Sequence, residues 1–257
     1  MKKTTHLSLI FAFFFLNALN LEAANCTLKN SFVSHPESWE KPKEAENLKA
    51  HIESKIKDLT KEKAEKQAKL ADITANLSEK QKDKITLSIK DLDSRLAELN
   101  TSKADMDRLG NDPNHIYAFL QTDENCVVKR TDNAVIIHAA NDALLIHEIR
   151  HISLWLQTGR NFQFSKNNLL LPTFADGSID ELISYRAQYA FEPNSLQGHP
   201  TDMGHINIEF ISKIQKEDGS FAYPGIRKMW QDDLKIAEQQ AKLKQATQGA
   251  YTANMAH

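Results

Sequence analysis

Between Asn141 and Trp155 the chain reads NDALLIHEIRHISLW, and within it His147-Glu148-Ile149-Arg150-His151 carries the residue types of a metal site. On a helix, residues four apart lie one above the other on one face. Two imidazoles so placed can grip one Zn²⁺, and Glu148, one step round from the first, can reach a water on the ion. Zinc makes such a water acidic near neutral pH. A nearby carboxylate can take its proton and later pass it to a leaving amine. The same residues also fit a plainer role, two core histidines satisfied by hydrogen bonds. The apolar Ala143, Leu144, Ile146, Ile152, Leu154 and Trp155 around them suit both readings, because they bury the helix.

A catalytic zinc takes three protein ligands and keeps one position open. Leu154 and Gln157 stand where a longer zinc motif would carry a glycine and a third histidine, so the third ligand must come from elsewhere. Glu181 is the best placed: it lies thirty positions after His151, early in SIDELISYRAQYAFE, which reads as a helix. A second helix with a glutamate can pack beside the first and complete the site. Tyr185 and Gln188 share the face of Glu181 and offer polar groups to orient ligands or bind substrate. Ser178-Ile179-Asp180-Glu181 is also a capping box, so capping its own helix is the alternative role for Glu181. Asp180 and Asp176 come next as ligands, then His138, His199 and His205; His138, on the strand before the motif, could also line a cleft. For an oxyanion-stabilising group the candidates are Tyr185, Tyr223, His205 and Arg186. Tyr223 lies in the loop FAYPG, where a packed turn is the alternative.

These residues need elements to hold them. Lys43 to Leu109 is rich in Lys, Glu, Ala, Leu and Asp, with no Gly or Pro. Ile85, Ile89, Leu92, Leu96, Leu99 and Met106 form a heptad seam interrupted by Lys103, and Leu48, Ile52, Ile56, Leu59, Leu70, Ile73 and Leu77 form a looser one. Ser78 with Gln81 makes a capping box between them. The expectation is an antiparallel coiled-coil hairpin; one continuous helix pairing with a second chain is the alternative. IYAFL, CVVKR and AVIIHA then read as strands, the last two joined at TDN. Asn141 or Asp142 caps the motif helix and Gly159 ends it. RNFQFSKNNLLLPTFADG is irregular and reads as a mobile edge of the cleft. A helix near Ile206 to Ile214 and a charged one from about Ile226 to Ala246 complete the chain. Extended substrate is expected to add to the AVIIHA strand.

The chain has 257 residues and a net charge of -2, so no overall charge favours nucleic acid as a partner. Lys2, Lys3, the apolar run Leu7–Leu19 and small residues at Ala23 and Ala24 read as a secretory signal peptide; an uncleaved anchor and a lipid on Cys26 are alternatives. The run is short for a bilayer, and no later segment of the mature chain could cross one. Export to a periplasmic or secreted location permits one disulfide between Cys26 and Cys126.

HEIRH followed by ELISYRAQ resembles the gluzincin branch of zincin metallopeptidases, especially its compact members, over Ile116 to Glu192. The resemblance implies that His147, His151 and Glu181 bind Zn²⁺ and that Glu148 is the general base, with peptide or protein as substrate. Many gluzincins carry an aspartate four positions after the ligand glutamate; here that position is Tyr185, taken as a further catalytic group. It also implies a helix packed behind the active one, for which the helix ending at Leu109 is suited. The expected fold is α+β and predominantly helical. The expected organisation is a signal peptide (1–24), a mature N-terminal segment (25–42), a coiled-coil hairpin (43–110), a zincin-like domain with a small sheet, active-site helix and glutamate helix (111–225), and a C-terminal helix and tail (226–257). A coiled-coil binding or scaffold protein that self-associates or recruits a partner, its zincin-like part inactive or structural, is the competing expectation. A latent peptidase covered by the hairpin or the C-terminal helix is a third.

Overall fold

The lysine- and glutamate-rich segment folds into two helices, α1 (Lys43–Ala71) and α2 (Glu79–Gly110), in a computed structural model that describes residues 43–72, 76–174, 177–216 and 218–254. The expected signal peptide, Cys26, Ile73 and Asp176 lie outside the described residues. The Ser78 capping box forms: Ser78 N–H donates to Gln81 Oε1 at 2.9 Å and Gln81 N–H to Ser78 Oγ at 3.4 Å. The two helices run antiparallel. Lys63 pairs with Asp93 at 2.5 Å, Glu53 with Lys103 at 2.7 Å and Lys49 with Asp107 at 2.5 Å, one partner descending the chain as the other ascends. Lys103 thus breaks the apolar seam by reaching across it. These exposed pairs contribute little stability. The buried stripe of Leu48, Ile52, Leu59, Leu92, Leu99 and Met106 contributes more.

That stripe belongs to the same core as the motif helix. Strands β1 (Ile116–Gln121), β2 (Cys126–Thr131) and β3 (Ala134–Ala139) form a mixed sheet in the order β1-β3-β2, with β1 parallel and β2 antiparallel to β3. The fold is therefore α+β and mostly helical. AVIIHA is the central strand β3, buried at all six positions and hydrogen-bonded on both sides. It has no free edge, which overturns the expectation that substrate adds to it. A continuous apolar run reports that both faces are covered and says nothing of how many edges are paired. The outer edge of β2 is met by the loop after the motif helix, where Lys129 N–H donates to Asn168 O at 2.8 Å and Leu170 N–H to Val127 O at 2.9 Å. Part of RNFQFSKNNLLLPTFADG is thus an extension of the sheet. Cys126 is disulfide-bonded.

Helix α3 (Asp142–Thr158) carries the motif. Asn141 caps it, accepting from Leu144 N–H at 3.1 Å, and Gly159 ends it at φ 65, a left-handed conformation that favours glycine. Helix α4 (Ser178–Phe191) packs beside it, followed by the short α5 (Ile208–Ser212) and the long α6 (Pro224–Asn254). Proline suits a first helical position, so α6 starts two residues before the expected Ile226, and it runs past Ala246. From Lys235 to Gln240 its side chains are exposed. No helix among the described residues is long and apolar enough to cross a membrane.

Arg150, the fourth residue of HEIRH, fixes α3 to α2. Only 4% exposed, its Nε lies 2.6 Å from Asp105 Oδ2, and Asp105 is 1% exposed. Arg150 Nη1 lies 3.2 Å from Glu98 Oε2, and its Nη2 donates to Ser102 Oγ at 3.2 Å. Ser153 Oγ donates to the other Asp105 oxygen at 2.5 Å, and Arg108 reaches both. Removing one member of such a buried pair strands the other charge, at a cost of about 3–5 kcal/mol. Arg150→Met is therefore expected to lower unfolding free energy by that order in urea titrations. The double variant Arg150→Met/Asp105→Leu should recover most of it. Equal losses in both would show that packing, not the stranded charge, sets the cost.

Candidate metal centre

Helical pitch stacks His147 and His151 on the face of α3 turned towards α4, and their Nε2 atoms stand 3.2 Å apart. Glu181, in the first turn of α4, closes the group. Its Oε2 lies 3.4 Å from His147 Nε2 and its Oε1 3.7 Å from His151 Nε2. A tetrahedral zinc with ligands at about 2.0–2.1 Å holds its donor atoms roughly 3.3–3.4 Å apart. The three separations fall close to that. Glu181 Oε2 is also buried with no hydrogen-bond partner, the condition of an oxygen meant for a cation. Histidine nitrogens and a carboxylate are ordinary zinc donors, so the residues fit the ion. Among the described residues, these three are the group of histidines, cysteines and carboxylates whose donor atoms converge, all within 4.8 Å.

Glu181 does not cap its helix. The residue at the N-cap of α4 is Gly177, and no side chain bonds there. The Ser178 capping alternative fails because the helix begins one residue early, placing Ser178 inside it. Asp180 points elsewhere: its carboxylate accepts from Thr173 N–H and from Phe174 N–H at 3.3 Å, anchoring the preceding loop, and burial pushes it up to about 6. His138 is buried beside Thr122, His199 sits in a turn at φ 42, and His205 pairs with Asp202 at 3.0 Å on the surface. Arg186 donates from Nε to Ile206 O. None of the four joins the cluster.

The electrostatics follow from burial and neighbours. Burial pushes His151 down to about 4, with the charge of Glu181 opposing and His147 and Arg150 adding to the shift. Burial also lowers His147, but the Glu181 carboxylate beside it outweighs burial and leaves the ring raised. Burial would raise Glu181; His151, His147 and Tyr223 hold it low instead. Glu148 stands outside the trio. Burial pushes its carboxyl up to about 7, His147 opposing and Glu181 adding. It is thus poised near neutrality, where a general base works best.

Two tyrosines close the side towards α6. The Tyr185 ring packs edge-on against His147, centroids 4.6 Å apart, and its hydroxyl lies 3.0 Å from that of Tyr223. Tyr223, just before α6, meets Tyr185 through this contact, so its loop is more than a packed turn. The sequence carried no signal for this contact, because the two residues are distant along the chain. Gln188, one turn beyond Tyr185, is fully buried near His147.

No family model, curated protein or solved structure matches this chain.

Ligation requires both imidazoles neutral, so the proton competes with the metal. Zinc affinity is therefore expected to fall as pH drops, beginning above the ordinary histidine value of about 6.5, because Glu181 favours protonated His147. At pH 7.5, free zinc at a hundred times its Kd should stabilise the wild type by about 2.7 kcal/mol. His151→Ala and Glu181→Ala should lose most of that gain in thermal melts. A gain retained by both variants would place the metal elsewhere.

Proposed function

We propose that this chain is an exported zinc-dependent peptidase of gluzincin type. The observation that carries the reading is the meeting of His147, His151 and Glu181 from two helices, with Glu148 beside them, buried and free of the trio. A structural zinc would have no use for that fourth acidic group. The disulfide at Cys126 supports an oxidising location, in line with the apolar N-terminus.

Zinc in this trio would supply Lewis acidity and acidify a water to near neutral pH. The chain's own residues supply the rest. Glu148, held near neutrality, takes a proton from the attacking water and gives it to the leaving nitrogen. Tyr185 and Tyr223 place phenolic hydroxyls beside the ligands, where they can donate to negative charge developing on a peptide carbonyl. The scaffold reading draws less support: the apolar seam of α1 and α2 is spent inside the core shared with α3, which leaves little of it for a partner. The latent reading loses its hairpin form for the same reason, since α2 flanks α3 through Arg150.

Glu148→Gln is expected to keep its zinc and to lose peptide-library cleavage by a factor of about 10²–10⁴. Zinc-loaded wild type that cleaves no peptide, or a Glu148→Gln variant that cleaves normally, would sink the proposal. Tyr185→Phe and Tyr223→Phe should each keep zinc while lowering kcat, by up to about 10² if that hydroxyl is the donor. Unchanged kcat in both would remove the tyrosines from the chemistry.

A further inference from the structure

Metal-binding histidines work through one nitrogen, and the hydrogen bond at the other sets the tautomer and the ring's aim. In His147 the Nε2 faces Glu181 and His151, so Nδ1 is the nitrogen left to be held. Nδ1 is buried, and no protein group meets it with full hydrogen-bond geometry. On the facing helix α4, Glu181 Oε2, Ser184 Oγ and Gln188 Oε1 are in the same condition, and of these Gln188 Oε1 is the amide carbonyl, an acceptor alone. The Gln188 side chain is 2% exposed and stands on the face of α4 that carries Glu181, the face packed against α3 and His147.

The amide's orientation follows from its far end. Gln188 Nε2 donates to Ser195 Oγ at 3.2 Å and faces Ser195 O at 3.5 Å. A backbone carbonyl only accepts, so the NH₂ end must face it and the carbonyl end must face away. Ser195 is itself fixed, its hydroxyl donating to Glu192 O at 2.7 Å. The chain of bonds thus runs from the C-terminal end of α4 through Ser195 to Gln188 and leaves its carbonyl end without a partner. Gln188 lies two turns after Glu181 on the same face, so one helix carries both a ligand and the group that would orient another.

We infer that Gln188 is a positioning residue for His147: its side-chain carbonyl accepts from Nδ1–H and so presents Nε2 to the metal. The inference rests on the zinc reading above. Tyr185, one turn earlier, touches the ring only by its edge and sends its hydroxyl to Tyr223. It therefore does not compete for Nδ1.

The test is zinc affinity of the mature chain, measured by competition with a chromophoric chelator. Gln188→Met keeps the shape and removes the acceptor; it is expected to bind zinc about 10–100-fold more weakly than wild type. Gln188→Glu restores an acceptor and should bind at least as tightly as wild type, which a purely packing role would not explain. In zinc-loaded wild type the His147 Nδ1–H proton should give a slowly exchanging downfield NMR signal, absent in Gln188→Met. Equal affinity in Gln188→Met and wild type would overturn the inference while leaving the metal site standing. Wild type that binds no zinc would overturn both. Should Gln188→Met fail to fold, Ser195→Ala frees the amide without removing it; a several-fold loss of affinity is expected, and no loss would overturn the inference.

Discussion

The buried pair of Arg150 and Asp105 is the constraint on which the remaining geometry depends. Two charges enclosed in an apolar core tolerate little displacement, because any lengthening exposes neither to water and weakens their attraction. Arg150 sits between the two motif histidines, so whatever fixes Arg150 fixes the helix that bears them. Glu98, Ser102, Arg108 and Ser153 share the charge among enough partners to make the arrangement specific as well as tight. The hairpin therefore belongs to the site's foundations: α2 holds α3 from one flank and contacts α4 as well.

Each side of α3 has a separate task. Ile146, Ile149 and Ile152 enter the apolar core, Arg150 and Ser153 meet α2, and the histidines face α4. A helix held on several sides cannot rotate to relieve strain, which suits a group of ligands that must keep fixed separations. Burial then tunes the site. The same desolvation that keeps His151 neutral raises Glu148 towards neutrality, so one physical cause acts on both side chains.

Much of this was legible in the sequence because it is local. The heptad seam, the Ser78 capping box, the Asn141 cap and the His147–His151 spacing each depend on residues within a few turns of one another, and each appears in the fold. Glu181 was a harder case. Its local pattern also matched a cap, and only the packing of α4 on α3 separates the two roles. What stayed hidden was long-range. AVIIHA is as apolar at the centre of a sheet as at a covered edge, so its pattern did not disclose two neighbours. Arg150 and Asp105 lie on separate helices, and nothing in either segment reveals the other. Tyr223 and Gln188 likewise acquire their contacts from tertiary packing.

The two histidines come from one helix, but the carboxylate comes from the next, with twenty-nine residues between His151 and Glu181. An ion bound to all three would act as a removable cross-link closing that loop. It would lower the entropy of every partly open state in which α3 and α4 part while the ion is held. The strip between them, which also extends the sheet beside β2, would then be a tether with both ends pinned. Metal supply would govern how readily that strip is exposed to attack, quite apart from any reaction at the site.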